Sequence, residues 1–134
     1  MLTAVRTLAG YRHDSIPTAI EALRNQSLPA GGNYSVSFTF SEDPTLFTAS
    51  SLATFDCLMF VSNSDEILGL KQQEAFADYL AKSGNFMAVH SASAALFNAP
   101  AYGREVGAYF DYHPSLQQAV SVSPATVDLS HQAL

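Results

Sequence analysis

The sequence predicts an α/β domain with a mainly parallel sheet, and three observations lead to that fold class. Residues 55–61 and 86–89 are short apolar runs bounded by polar turns, as is typical of strands buried on both faces of a sheet. Residues 70–82 lie between them and carry an apolar stripe at helical spacing that includes Phe76. A chain in which strands alternate with helices forms parallel pairs joined by right-handed crossovers.

The amino-terminal part of the chain supplies two further strands and a helix. Residues 1–6 are a short apolar segment that predicts the first strand. Apolar residues recur at helical spacing over 16–23, after Ser15 as a helix N-cap and with Pro17 in the first turn, where its missing N–H does no harm. Residues 34–41 alternate strictly between apolar and polar side chains, which predicts a half-buried strand at a sheet edge.

The other segments give weaker patterns. Residues 48–53 predict at most a short helix, and the small residues 92–95 predict a helix packed closely behind a strand. Residues 98–107 are interpreted as a loop because they contain proline and glycine. Residues 118–123 are a candidate fifth strand, and residues 124–134 have little periodicity and are interpreted as a divergent C-terminal tail.

The composition of the 134 residues fits one globular domain, which we place at residues 1–123. Hydrophobic residues make up 48% and charged residues 13%, and the net charge of −6 argues against nucleic acid as a partner. No apolar run is long enough to span a membrane, and the first residues lack the pattern of a secretory signal. The single cysteine, Cys57, excludes an internal disulfide and favours a cytoplasmic location. A homo-oligomer is compatible with this composition.

A ligand is expected at the loops that follow the strands. The edge character of 34–41 favours the strand order 2-1-3-4, the flavodoxin-like arrangement, whose switch point lies between the first and third strands. Ligands of open parallel sheets bind at such points, beyond the carboxyl ends of the strands. We therefore expect His13 and His90 to open into one pocket at this edge, near Ser62 and Asn63.

Each polar residue near this edge has both a functional and a structural interpretation. Arg12 could clamp an anion or lie solvated on a surface loop, and Ser91 could contact a ligand or, more simply, cap a helix. His113 precedes a proline, so an ordered loop residue is its simpler interpretation. His13 and His90 are equally compatible with a ligand contact and with local hydrogen bonds.

The sequence leaves the cofactor unknown. His13, His90 and His113 could bind a divalent metal, since imidazole suits zinc and similar ions, but their separation matches no compact zinc motif. The glycine motifs that bind dinucleotides or nucleotide phosphates do not occur, and neither does the G-x-S-x-G elbow of serine hydrolases.

Several motifs nevertheless occur in the order and spacing of a known family. They are Tyr11-Arg12-His13-Asp14-Ser15-Ile16-Pro17, Glu42-Asp43-Pro44 with Phe47-Thr48, Phe55-Asp56, Phe86 with His90-Ser91-Ala92, Tyr102-Gly103 with Val106-Gly107-Ala108-Tyr109-Phe110, and His113-Pro114. From the first strand to about Val122, the chain resembles the trehalose-utilisation (ThuA-like) family of the class I glutamine amidotransferase-like superfamily.

The resemblance implies a flavodoxin-like three-layer sandwich and a role in the utilisation of trehalose or a related glycoside. A small sugar-like ligand would bind at the carboxyl edge of the sheet. His90 stands at the elbow where amidotransferase relatives carry a cysteine nucleophile, so cysteine-dependent glutaminase chemistry is not expected. If the chain is an enzyme, of a hydrolase type acting in sugar metabolism, the resemblance makes His90 and His13 its catalytic residues.

The chain also departs from the family pattern. Ser93 and Ala94 stand where the family usually has threonine and aspartate after the elbow. Ala99 and Ala101 flank Pro100 where the family usually has tryptophans. These changes remove a candidate acid or base and an aromatic surface for sugar stacking.

The C-terminal end departs as well. Residues 124–134 do not resemble the further strands of the family, which leads us to expect a C-terminally truncated domain. The alternative function is therefore a degenerate or truncated, non-catalytic binding domain of the same superfamily. On this basis we expect weak or no catalytic activity from the chain on its own.

Overall fold

The computed structural model describes residues 2–4, 10–26, 35–113 and 115, and within them the fold is mixed α/β. A four-stranded sheet has its strands in the order Thr39–Ser41, Leu2–Ala4, Cys57–Val61 and Asn85–Val89, and every neighbouring pair in it is parallel. Its strands are β1 (Leu2–Ala4), β2 (Thr39–Ser41), β3 (Cys57–Val61) and β5 (Asn85–Val89). A second sheet pairs the two-residue strands β4 (Ser64–Asp65) and β6 (Ala94–Ala95), also in parallel.

Four α-helices and two short 3-10 helices connect the described strands. The α-helices are α1 (Ile16–Arg24), α2 (Ala49–Leu52), α3 (Leu70–Ala81) and α4 (Pro100–Val106). The 3-10 helices cover Pro44–Leu46 and His90–Ser93. The described part of the chain contains no helix long and apolar enough to cross a membrane.

The side chains of β3 divide the core between the two faces of the sheet. Met59 and Val61 pack against Ile16 of α1 on one face. Leu58 and Phe60 belong to a larger cluster on the other face, which includes Phe76 of α3 and residues of α2 and α4. Four of the five β3 residues are buried, which confirms the prediction that this apolar run lies inside the fold.

Several helix predictions are confirmed, with adjusted ends. Helix α3 buries Phe76, and α2 begins after Thr48, whose Oγ1 accepts a hydrogen bond from the Ser51 amide over 3.2 Å. Pro17 lies in the first turn of α1 as predicted. Ser15 occupies the N-cap position, but its side chain makes no capping hydrogen bond.

The prediction that 86–89 is buried on both faces is wrong. Met87 and Val89 are 49% and 40% exposed, and β5 is the last strand of the described sheet. They lie opposite Met59 and Val61 in the strand register, and α1 packs on those two β3 residues. Only the other face of β5 reaches the core, through Phe86.

The predicted edge strand is shorter than the alternation suggested. Only Thr39–Ser41 pairs with β1, and residues 35–38 form no strand. Phe38 and Phe40 do share one side, with stacked rings whose centroids are 5.7 Å apart, so the period of the pattern is right. Among the described strands, β2 lies at an end of the sheet, as predicted.

Two further predictions are corrected. Residues 92–95 do not form an α-helix; they contain the end of a 3-10 helix and the strand β6. Residues 98–107 are not a loop, because Pro100 starts α4 and Gly107 ends it in the left-handed conformation at φ 77°. The candidate strand 118–123 and the tail 124–134 lie outside the described residues.

Candidate functional site

His90 lies at the carboxyl end of β5 and has a strained backbone conformation. Its φ is 59°, a left-handed value that non-glycine residues seldom adopt, and it begins the 3-10 helix that follows the strand. Ser62 occupies the corresponding place after β3 with φ 53°. The Ser62 amide donates a hydrogen bond to the Val89 carbonyl over 3.1 Å, so the two strand ends are tied together. Strained residues of this kind cluster at functional sites.

The same turn brings a hydroxyl to the His90 ring. Ser62 Oγ lies 3.5 Å from His90 Nδ1, at the outer limit of a hydrogen bond. Either atom can act as donor, depending on the tautomer of the imidazole. Because Ser62 is only 4% exposed, its hydroxyl contacts the His90 ring from the protein interior and is not available to a ligand.

His13 reaches His90 from the loop before α1. The two imidazole rings meet edge to face, with centroids 4.4 Å apart and planes at 82°. The ring of Tyr11 also meets His13 edge to face, with a centroid distance of 4.8 Å. The topology thus joins two histidines that are 77 positions apart, which is the proximity predicted from the ends of the strands.

These rings line a cavity of about 530 Å³ that we call the histidine cavity. Its volume lies within the range of about 300–1,000 Å³ that is typical of small-molecule sites. The lining residues are Tyr11, His13, Ser64, His90, Ser91, Ser93, Ala94, Phe110 and His113. The prediction that His13 and His90 open into one pocket is confirmed, and His113 lies in the same wall.

The surroundings of His13 favour its neutral form. Partial burial lowers the pKa of His13 below its ordinary value of 6.5, and the charges of His90 and His113 lower it further. Asp14 acts in the opposite direction with a smaller effect. At neutral pH, His13 therefore presents a ring nitrogen that can accept a hydrogen bond or a proton.

Arg12 does not line the histidine cavity. Its guanidinium makes a bidentate ion pair with Glu42, with N–O distances of 2.8 and 2.6 Å. This pair raises the pKa of Arg12, and both side chains are nearly half exposed. The structure thus gives Arg12 an acidic partner at the surface, and its assignment as a ligand-binding residue stays a prediction.

The three polar residues predicted beside the histidines occupy different places. Ser91 lines the cavity; its Oγ is buried and has no hydrogen-bond partner among the described residues, so it does not cap a helix. Asn63 is fully buried, and neither Asn63 nor Ser62 is a lining residue. Ser64 lines the cavity instead and donates a hydrogen bond to the Tyr11 carbonyl over 2.9 Å.

The sequence places Tyr11 and Ser64 on the switch-point loops but does not single out Ser93 and Phe110 as site residues. The aromatic stretch at 109–112 was a usable signal, because Phe110 packs on His113 with a centroid distance of 4.8 Å. Its amide also donates a hydrogen bond to the Ser93 carbonyl over 3.0 Å, which ties this stretch to the cavity.

The described side chains give no support for a metal centre. Within residues 10–26, 35–113 and 115, no group of three or more histidine, cysteine or acidic side chains is arranged to hold a metal ion. His13 and His90 contact each other edge to face, and His113 lines the same cavity. The divalent metal considered from the sequence stays a prediction.

The fold and cavity define an α/β domain with a histidine-rich site at the carboxyl edge of a parallel sheet. Such an edge is where open parallel sheets bind their ligands. The chain belongs to the ThuA family, described as trehalose utilisation, whose pattern it matches over residues 2–134. Neither the comparison with curated proteins nor that with solved structures gives a match.

Proposed function

We propose that this chain acts in carbohydrate utilisation by binding a small sugar-like ligand, trehalose or a related glycoside, in the histidine cavity. Its membership of the trehalose utilisation family gives the class of process. The observation that carries the proposal is the edge-to-face contact of His13 and His90 in the wall of a ligand-sized cavity.

The lining of the cavity combines the two kinds of surface that a sugar needs. Tyr11 and Phe110 are 69% and 38% exposed, so their rings are available to stack against the apolar C–H faces of a sugar. Ser64, Ser93 and the imidazoles provide donors and acceptors for its hydroxyl groups. An apolar wall with a few placed polar groups is the usual design of a small-molecule site.

A catalytic role would use the imidazoles as an acid–base pair. His13 is suited to accept a proton, because its pKa is lowered by partial burial and by the neighbouring histidines. His90 is placed by its strained turn and by Ser62. The described lining contains no carboxylate, so glycoside hydrolysis by two carboxylates is not the reaction that this cavity supports.

The second candidate is a binding domain without catalysis, and Ala94 favours it. Ala94 lines the cavity at the position where the resemblance leads one to expect an aspartate. A methyl group there can neither donate nor accept a proton. Ligand binding without turnover would establish this alternative.

We propose the finer classification on the same grounds. The parallel sheet of order β2-β1-β3-β5 with helices on both faces supports a flavodoxin-like three-layer sandwich. The sharp turn at His90 supports membership of the class I glutamine amidotransferase-like superfamily, with histidine in place of the cysteine nucleophile. A cytoplasmic location rests on the single cysteine of the sequence.

Calorimetric titration with trehalose, other disaccharides and their oxidised keto forms tests the proposal. The wild-type protein should bind at least one of them saturably, and His90→Asn should weaken binding by about tenfold or more. Asparagine is the preferred replacement because it tolerates the left-handed backbone that His90 adopts. Turnover assays on the same ligands, with and without added divalent metal, separate the enzyme from the binding domain.

A matched pair of aromatic variants provides the control. Tyr11→Ala removes an exposed ring that lines the cavity, whereas Phe97→Ala removes a ring that is 47% exposed and lies outside it. Only the first change should weaken binding. Equal effects of both variants, or no binding by the folded wild-type protein to any of the sugars, would contradict the proposed function.

A further inference from the structure

The histidine cavity concentrates groups that can become cationic in an otherwise acidic chain. The sequence contains four histidines and has a net charge of −6, yet three of the four, His13, His90 and His113, line this one cavity. None of the described lining residues is aspartate or glutamate. An excess of groups that can become cationic, with no carboxylate beside them in the described wall, is an environment suited to an anion.

Imidazole is the only titratable base among the described lining residues. Arg12, which lies next to His13 in the sequence, directs both terminal nitrogens of its guanidinium to the Glu42 carboxylate. The polar groups that complete the lining are hydroxyls, and one of them, Ser91 Oγ, is buried with no hydrogen-bond partner among the described residues. A hydroxyl in that state gains a partner if a ligand oxygen accepts its hydrogen.

We propose that the ligand of the histidine cavity is an anionic carbohydrate, a sugar acid or a sugar phosphate, whose negative group is received by His13, His90 and His113. This inference rests on the function proposed above and narrows its ligand class. The sugar ring would occupy the aromatic part of the wall, and the anionic group would lie among the imidazoles and serine hydroxyls.

Proton uptake on binding follows from the crowding of the imidazoles. In the free protein, His13 faces His90, His113 and the ring of Tyr11, with Asp14 as the nearby acid, and the two other histidines disfavour its protonation. An anion placed among them reverses that balance, because it attracts the proton that the neighbouring imidazoles repel. Anionic ligands should therefore bind more tightly as the pH falls through the histidine range.

Calorimetry with three matched ligands tests this inference. Glucuronate, glucose 6-phosphate and neutral glucose are titrated at about pH 6 and about pH 8, each in two buffers of different ionisation enthalpy. At least one anion should bind about tenfold more tightly than glucose at the lower pH, with a smaller advantage at the higher pH. Comparison of the two buffers should show net proton uptake for the anion only.

Charge-matched variants locate the effect. His113→Gln, on an exposed loop, should reduce the affinity for the anion several-fold and lower the proton uptake. Arg104→Gln removes a cation from an exposed helical position outside the cavity and should leave the affinity for the anion unchanged. Arg12→Gln tests the nearest alternative anion site; a large loss there with none in His113→Gln would overturn the inference.

The ligand results separate this inference from the proposed function. If trehalose or glucose binds at least as tightly as both anions at both pH values, the anionic class is wrong and the proposed function stands. If inorganic phosphate alone binds as tightly as glucose 6-phosphate, the carbohydrate part of the inference is wrong. If neither neutral nor anionic sugars bind to folded protein, both proposals are wrong.

Discussion

Replacement of Phe76 by alanine tests the packing that supports the sheet edge. Phe76 is 2% exposed and contacts the rings of Phe60 and Phe86 at centroid distances of 5.4 and 5.2 Å. The Phe47 and Tyr102 rings lie slightly farther away. The substitution therefore opens a cavity between α3 and the part of the sheet formed by β3 and β5.

The size of the effect follows from the buried area. A fully buried aromatic side chain removes about 150–250 Å² from water, which is worth about 4–6 kcal/mol at 25 cal/mol per Å². Alanine retains the Cβ, and the surrounding rings relax only partly, so we expect a loss of about 3–5 kcal/mol in the free energy of unfolding.

Chemical denaturation of the wild type and two variants gives the measurement. Leu70→Ala is the matched control because Leu70 begins the same helix and is 78% exposed. It should change the free energy of unfolding by no more than about 0.5 kcal/mol. A loss below about 1 kcal/mol for Phe76→Ala would show that this aromatic cluster does not hold the helix on the sheet.

Three further predictions concern α4 and the cavity. Tyr102→Phe removes the hydroxyl that donates a hydrogen bond to the Ala92 carbonyl over 2.7 Å. The free energy of unfolding, measured by chemical denaturation, should fall by about 1–3 kcal/mol. An unchanged free energy of unfolding would show that this hydrogen bond does not stabilise the fold. Gly107→Ala should lower the free energy of unfolding by about 1–2 kcal/mol in the same assay, because the backbone φ there is 77°. No atom crowds the position, so the cost comes from the backbone alone. An unchanged free energy of unfolding would contradict the left-handed end of α4. The imidazole of His13 should titrate below 6.5 by NMR. With this lowered pKa, the unfolded chain binds a proton at His13 more readily than the folded protein does. His13 should therefore destabilise the ligand-free protein progressively as the pH falls from 6.5 towards the lowered pKa. A normal or raised pKa for His13 would refute this expectation.

The sequence predicted the parts of the fold that depend on burial and chain order. The run at 55–61 is buried along β3, and the carboxyl ends of β3 and β5 bring Ser62 and His90 together. His13 follows from the same reasoning, because the loop after the first strand of a parallel sheet opens at the same edge.

Two local errors each have a physical explanation. Proline and glycine at 98–107 were interpreted as loop signals, although proline also starts helices and glycine also ends them, as Pro100 and Gly107 do in α4. The strand at 86–89 was interpreted as buried on both faces because apolarity alone does not reveal whether a helix covers each face, and Met87 and Val89 remain half exposed.

The candidate site was only partly predictable for a different reason. The place of a lining residue such as Ser64 depends on the short pairing of β4 with β6, which has no sequence signal of its own. Arg12 had the right chemistry for an anion clamp, but its partner, Glu42, is 30 positions away and became visible only in the structure. The predicted boundary between the domain at residues 1–123 and the tail at residues 124–134 stays a prediction.

The most direct test of the central claim is an NMR titration of the imidazole protons of the folded protein with the tightest-binding sugar. The account predicts saturable shifts for His13 and His90, with one dissociation constant that agrees with calorimetry. It also predicts that His90→Asn reduces the shift of His13 several-fold at a ligand concentration near the wild-type dissociation constant. Imidazole signals that stay unmoved at saturating ligand, while binding heat is still observed, would place the ligand elsewhere and contradict the claim that the histidine cavity is the binding site.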